Sequence, residues 1–330
     1  METVLHHAIQ CAKQNHAKYD VIVSFSGGKD SVFVLKQLVT KYNARVLCVL
    51  DDLNQQTKEA MDNAKRSIDD LDADLYIISP PEEEPEIRRN FLKNGENFCR
   101  LCLRSHFARV YQVAIEMEIP YVFLGLSPFQ VLDCPNAIDW SLHAIHDLET
   151  PPENRDNKEI LSRYQHRFFQ GGYDRGFVKE NEKILLSNWM NTFEPHNKKI
   201  IPLLLPFFIF DGYPGDEKVM EIITHELDWK KPDYYIFRRS NCRWQQPAGL
   251  IHYAIFQTHM NYKEIATELR LAGKRLTYDQ AIKKYNEINQ LSVDEIMSKE
   301  EFQKILLNDF GMRVEELPTN IKDNITRLLL

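Results

Sequence analysis

The run YDVIVSFSGGKDS, residues 19–31, constrains this chain more than any other stretch, because a Gly-Gly pair falls where a strand pattern gives way to a helical one. Val21, Ile22, Val23 and Phe25 form a short apolar run that predicts a buried parallel strand. Val32, Val34, Leu35 and Leu38 then recur at helical spacing. Between them, Gly27 and Gly28 let the backbone turn sharply and bring its N–H groups to an anion, and the N-terminus of the following helix adds partial positive charge. Lys29 supplies a full charge, Asp30 a carboxylate, and Ser26 and Ser31 supply hydroxyls. The pattern differs from the Walker A loop, which has a longer spacer and ends in Gly-Lys-Ser/Thr.

Strand and helix patterns alternate through residue 124. Arg45 to Leu50 reads as a second strand, ending at Asp51-Asp52, followed by a helix over 55–71 and a third strand over Leu75 to Ile78. A Pro- and Glu-rich loop, a helical stretch over 86–92, a helix through 116 and a fourth strand, Tyr121 to Leu124, come next. This order predicts a doubly wound parallel α/β sheet whose ligands lie beyond the carboxyl ends of the strands. Ser26–Ser31, Asp51 and Gly125–Ser127 all fall at those ends. Asp51 is there either to meet a nucleoside or to cap the next helix.

The expected division is an α/β phosphate-loop domain over 1–132, led by an amphipathic helix over 1–18, then an insertion and return to the core over 133–213. A helical region over 214–330 follows. In the middle part, IIPLLLPFFI (200–209) is too short and too Pro-broken for a membrane helix and reads as core or an apolar contact surface. In the last part, 215–227, 246–260, 262–272, 277–289, 292–297 and 298–309 carry helical spacing.

With 43% hydrophobic residues the chain can bury a full core, and its net charge of −7 gives no global basic field for nucleic acid. Arg100, Arg104, Arg109, Arg238, Arg239 and Arg243 could still form a local basic face. No apolar run approaches the roughly 20 residues that span a bilayer, and no signal-peptide pattern opens the chain, so a cytoplasmic location without membrane contact is expected. The six cysteines, at 11, 48, 99, 102, 134 and 242, suit thiols or metal ligands better than a disulfide framework. Cys11 and Cys48 fall in core patterns. Cys99 and Cys102, spaced to share one metal, could be half of a zinc site, a redox pair or packed core thiols. His106, His143 and His252 read as packed or solvated.

The SGGKDS loop, Ser26 to Ser31, resembles that of the PP-loop ATP pyrophosphatases, which cleave ATP between its α- and β-phosphates. The resemblance implies that Ser26, Gly27, Gly28, Lys29, Asp30 and Ser31 hold the pyrophosphate of ATP with Mg2+, that Asp51 and Gly125 border the nucleotide, and that Lys29 and Asp30 serve the chemistry. A substrate carbonyl oxygen would be adenylated with release of pyrophosphate, and a second nucleophile would then expel AMP. Cys99-Arg100-Leu101-Cys102 is similar to the cysteine pair that follows the loop in sulfur-inserting members. There a distant third cysteine completes a 4Fe-4S cluster, which here would be Cys242 or, alternatively, Cys134; zinc is the other metal this set suits. On that branch Cys99, Cys102 and Cys242 are the metal ligands and carry the sulfur chemistry. The stretches Val49–Asp51, Ile119–Pro128 and Leu276–Ala281 look like the N-acetyl sugar amidotransferase branch, where nitrogen replaces the adenylated oxygen. The implied acceptor is a nucleobase, a nucleotide or an N-acetyl sugar; the implied donor system is a cysteine desulfurase for sulfur or a glutaminase for nitrogen. A homodimer and a non-catalytic ATP-binding protein are both compatible with the same motifs.

Overall fold

The computed structural model describes residues 1–14, 18–79, 82, 84–96, 98–128, 131, 137–151, 154–169, 200–231, 242–256 and 298–328. The helices expected over 262–272, 277–289 and 292–297 lie outside these residues, as do Cys134, Arg238, Arg239 and the 276–281 motif. By packing, the chain divides into two compact units, residues 1–79 with 104–241, and residues 80–103 with 242–330.

The first unit is built on a five-stranded, wholly parallel sheet. Its strands are β1 (Val21–Phe25), β2 (Val46–Asp51), β3 (Asp74–Ile78), β4 (Tyr121–Leu124) and β5 (Leu203–Pro206), in the order β3-β2-β1-β4-β5. Val21, Ile22 and Val23 in β1 and Cys48, Val49 and Leu50 in β2 are fully buried, as expected for strands covered on both faces. Chain order reverses between β1 and β4, which pair with Ile22 opposite Val122 and Ser24 opposite Leu124. A crevice for ligand is expected beyond the carboxyl ends at that reversal.

Around the sheet lie α1 (Glu2–Gln14), α2 (Lys29–Thr40) and α3 (Lys58–Asp70). Thr57 caps α3 by accepting a hydrogen bond from the Ala60 N–H at 3.0 Å. In α1, Leu5, Ala8, Ile9 and Ala12 form the buried stripe.

The segment expected to be an insertion contributes two helices and the edge strand. With α4 (Glu84–Lys93) and α5 (Cys99–Glu116) preceding them, they are α6 (Ala137–Glu149), α7 (Asn157–Phe169) and β5. The run 200–209, expected to be core or an apolar contact surface, supplies this edge strand, which tolerates Pro202 just before it and Pro206 at its end. β5 is tied in by the Leu203 N–H donating to the Pro120 carbonyl at 2.9 Å and by the Leu204 N–H donating to the Tyr164 hydroxyl. It leads into α8 (Phe207–Asp211) and then α9 (Asp216–Leu227), which packs on α2 and α3.

The second unit contains α4, the opening of α5, α10 (Gln245–Phe256), α11 (Lys299–Phe310) and α12 (Thr319–Leu328). Its aromatic centre joins Phe98 to Phe310, with ring centroids 4.7 Å apart, and Trp244 to Phe310 at 5.2 Å. The Trp244 indole N–H and the Arg243 guanidinium both donate to Asp309 at 2.8 Å. Residues 80–103 therefore group with the C-terminal helices, where a division taken in chain order had placed them within 1–132.

Candidate functional site

The Ser26–Ser31 loop lies where β1 ends and α2 begins, and glycine is required at both faces of it. Gly27 has φ +69°, and a Cβ there would come within 2.0 Å of the Ala60 carbonyl oxygen in α3. A Cβ on Gly125, just past β4, would meet the Ser31 backbone nitrogen at 2.9 Å. Gly125 thus lets the end of β4 approach the first turn of α2, and Gly27 lets α3 approach the loop. The turn is closed from within, since Ser31 Oγ donates to the Gly28 carbonyl at 3.0 Å and accepts from the Ser26 N–H at 3.3 Å. Ser26 Oγ lies 3.3 Å from Ser31 Oγ. Trp229, which sequence reading had passed over, donates its indole N–H to the Gly27 carbonyl at 3.0 Å. Gly28 caps α2 without a side chain to accept from its first turn. That leaves helix N–H groups for an anion.

Lys29 occupies a different position from a lysine reaching into solvent for phosphate. Its side chain is 5% exposed. Its ammonium donates to both oxygens of Asp30 at 2.7 and 2.8 Å, to Asp216 at 2.7 Å and to the Tyr213 hydroxyl at 3.3 Å. Tyr213 in turn donates to Asp216. Burial pushes the Lys29 ammonium down, but the Asp30 and Asp216 charges outweigh it and hold its pKa above the ordinary lysine value. Its direct work here is to hold Asp30 against the start of α9. Neither Tyr213 nor Asp216 was expected, because nothing local marks them; the return of the chain through β5 brings them to the loop.

Asp51, at the end of β2, is buried, and it is Thr57 that caps the following helix. Arg109 of α5 grips it with two hydrogen bonds, Nε to Oδ1 at 3.0 Å and Nη2 to Oδ2 at 2.7 Å, and also donates to Ser105 Oγ at 3.0 Å. His106 Nδ1 lies 3.4 Å from Asp51 Oδ2 and His106 Nε2 lies 2.6 Å from Ser24 Oγ. Burial raises the Asp51 pKa, yet His106 and Arg109 more than offset it and keep the carboxyl below its ordinary value. Arg109 is therefore an interior ion-pair residue, where a surface basic face had been considered. His106, read as packed or solvated, joins β1 to β2.

Cys99 and Cys102 are half-buried in the first turn of α5, three residues apart and so on one helical face. Cys242 is half-buried as well. Thiol donors suit iron or zinc. Among the described residues, however, no group of three or more Cys, His, Asp or Glu side chains is gathered closely enough to hold a metal ion. Cys99, Cys102 and Cys242 do not form such a group among the described residues.

Fold and loop together define a class: a doubly wound parallel α/β protein with a glycine-built loop at its topological reversal. No family model matches the chain. It is 34% identical over 113 residues to an uncharacterized protein of Methanocaldococcus jannaschii, a match covering 34% of this chain and 40% of that one. Solved structures to which it is similar include an NMN synthetase from Francisella tularensis (16% identity, TM-score 0.32, covering 61% of this chain and 94% of that one). They also include an NH3-dependent NAD synthetase from Campylobacter jejuni (15%, TM-score 0.32, 62% and 96%). A third is a U34-tRNA thiolase from Methanococcus maripaludis with its 4Fe-4S cluster (14%, TM-score 0.30, 68% and 74%). Among the described residues no helix is long and apolar enough to cross a membrane.

Proposed function

We propose that this protein is an ATP-dependent adenylating enzyme of the PP-loop ATP pyrophosphatase type. The observation that carries the reading is the loop itself: the six residues Ser26 to Ser31, set between a buried strand and an uncapped helix, with Gly27 in the left-handed region. In this reading the backbone N–H groups of the loop and the first turn of α2, with the Ser26 and Ser31 hydroxyls, receive the β- and γ-phosphates of MgATP. A substrate carbonyl oxygen attacks the α-phosphorus and pyrophosphate leaves. Fixed dipoles aimed at the departing pyrophosphate lower the barrier, because they need no reorganisation as charge develops. Lys29 acts by fixing Asp30 within the loop, and Asp51, pinned by Arg109, orders the end of β2 beside the nucleotide.

For the second half-reaction we favour sulfur as the atom that displaces AMP. Support comes from the Cys99/Cys102 pair, whose spacing and thiol chemistry suit a persulfide carrier. Nitrogen delivered to an adenylated acetamido group is the competing outcome. The experiment is to incubate the full chain with MgATP and a panel of nucleobase, nucleotide and N-acetyl sugar acceptors and to analyse the phosphate products. AMP with pyrophosphate is expected; ADP with phosphate would overturn the reading. Sulfur in the acceptor product, lost in Cys99→Ala and Cys102→Ala, supports the sulfur branch, whereas an amidine product insensitive to both assigns nitrogen.

A further inference from the structure

We propose that Ser24, His106 and Asp51 form a second catalytic site, an acyl-transfer centre in which Ser24 is the nucleophile toward a small carboxylic ester or thioester. Three strand and helix elements bring these residues together. Ser24 comes from the penultimate position of β1, Asp51 from the last position of β2, and His106 from α5. Ser24 Oγ is 2.6 Å from His106 Nε2, and His106 Nδ1 is 3.4 Å from Asp51 Oδ2. A nucleophile bound to a base, which is itself oriented by a third group, is the arrangement that activates a hydroxyl, and it is recognised by geometry rather than sequence order.

The surrounding residues decide the direction of the hydrogen bonds. The Asp51 carboxylate accepts from Arg109 through both oxygens and lies on the Nδ1 side of His106. In the proposed resting state Nδ1 carries the imidazole proton toward Asp51 and Nε2 accepts from the Ser24 hydroxyl. Arg109 anchors Asp51 through both oxygens, which prevents the carboxylate from swinging away. Its charge also offsets part of the stabilisation Asp51 would give an imidazolium, so slow turnover is expected. Ser24 is half-buried and the His106 side chain is 24% exposed.

The step balances without any further reagent. Ser24 Oγ passes its proton to His106 Nε2 and bonds to the carbonyl carbon; the alcohol or thiol leaves with that proton. Water, deprotonated by His106, then attacks the acyl group and returns Ser24 to its hydroxyl form, releasing the carboxylic acid. Nothing in this sequence uses a nucleotide.

The test is to treat the full chain, without ATP, with p-nitrophenyl acetate and separately with an alkyl fluorophosphonate, and to locate the adduct by peptide mass. The expected result is one acyl or phosphonyl group per chain on Ser24, none in Ser24→Ala, and labelling about 100-fold slower in His106→Gln. Ser24→Cys, a close replacement in shape, should redirect reaction to iodoacetamide and keep its dependence on His106. Absence of an adduct, an adduct on another residue, or an unchanged rate in a folded His106→Gln protein would overturn the proposal.

Discussion

The Ser26–Ser31 loop and the cysteine pair are both short motifs, but the fold treats them differently. The loop is complete within a few residues of chain, and β4, α3 and Trp229 close on it through Gly125, Gly27 and a hydrogen bond to the Gly27 carbonyl. The pair at Cys99 and Cys102 supplies two thiols on one helical face and depends on a distant residue for any third ligand. A motif that a strand, turn and helix can satisfy locally is specified once those elements form. One that needs a distant partner is specified only by tertiary packing.

That contrast predicts a large stability effect at the loop and a small one at the pair. Gly27→Ala should be the most damaging change, since it forces a Cβ to 2.0 Å from a backbone oxygen at φ +69°. A loss of about 3 kcal/mol or more is expected in urea unfolding, with nucleotide binding abolished. An effect below about 0.5 kcal/mol would show that the turn is not held as described.

Lys29→Ala comes next. It leaves Asp30 and Asp216 facing each other without their shared cation, at a cost of about 3 kcal/mol. The pKa of Lys29 is raised in the folded state, so its contribution is complete below the unfolded value of about 10.4 and fades only as pH rises through the higher folded value. The variant and parent should therefore differ by a constant amount through neutral pH and converge in strong alkali.

Asp51 has the opposite sign. Its folded pKa is depressed, so its stabilisation is present above the unfolded value of about 3.9 and is lost as pH falls through the folded one. Asp51→Asn should cost about 2 kcal/mol at neutral pH, because it strips the charge partner from buried Arg109, and the deficit should shrink on acidification below about pH 4. A deficit unchanged down to pH 2 would refute the ion-pair account.

The smallest effect is expected at the pair. Cys99→Ala and Cys102→Ala remove half-buried thiols and should each cost about 1 kcal/mol or less in unfolding measured with a chelator present. Iron, sulfide and zinc analysis of anaerobically purified protein sharpens the comparison. Metal bound to the parent and lost in both variants would mean that residues beyond the described set complete the site.

The same contrast governs what could be read from sequence. β1 to β4, α2 and the loop are legible because strand burial and helical spacing are local properties. β5 was not, since Pro202 and Pro206 disguise an edge strand, and α6 and α7 lay in a stretch whose periodicity is weak. Within the site, Gly27 and Gly125 were flagged, although their steric reason lies in Ala60 and Ser31. Tyr213, Asp216, Trp229 and the Ser24–His106 contact were invisible because each joins segments far apart in the chain. Arg109 was noticed for its charge, but only packing against Asp51 turns that charge inward.

The central claim, that Ser26 to Ser31 hold the pyrophosphate end of ATP, is tested most directly by calorimetric titration of the full chain with MgATP and with magnesium pyrophosphate. The account predicts one site per chain, competition between the two ligands, and at least a tenfold loss of both affinities in Ser26→Ala/Ser31→Ala with the fold intact, the roughly 1.4 kcal/mol that two lost hydroxyl contacts would supply. Binding of ATP that pyrophosphate does not displace, or affinities unchanged in that variant, would contradict it.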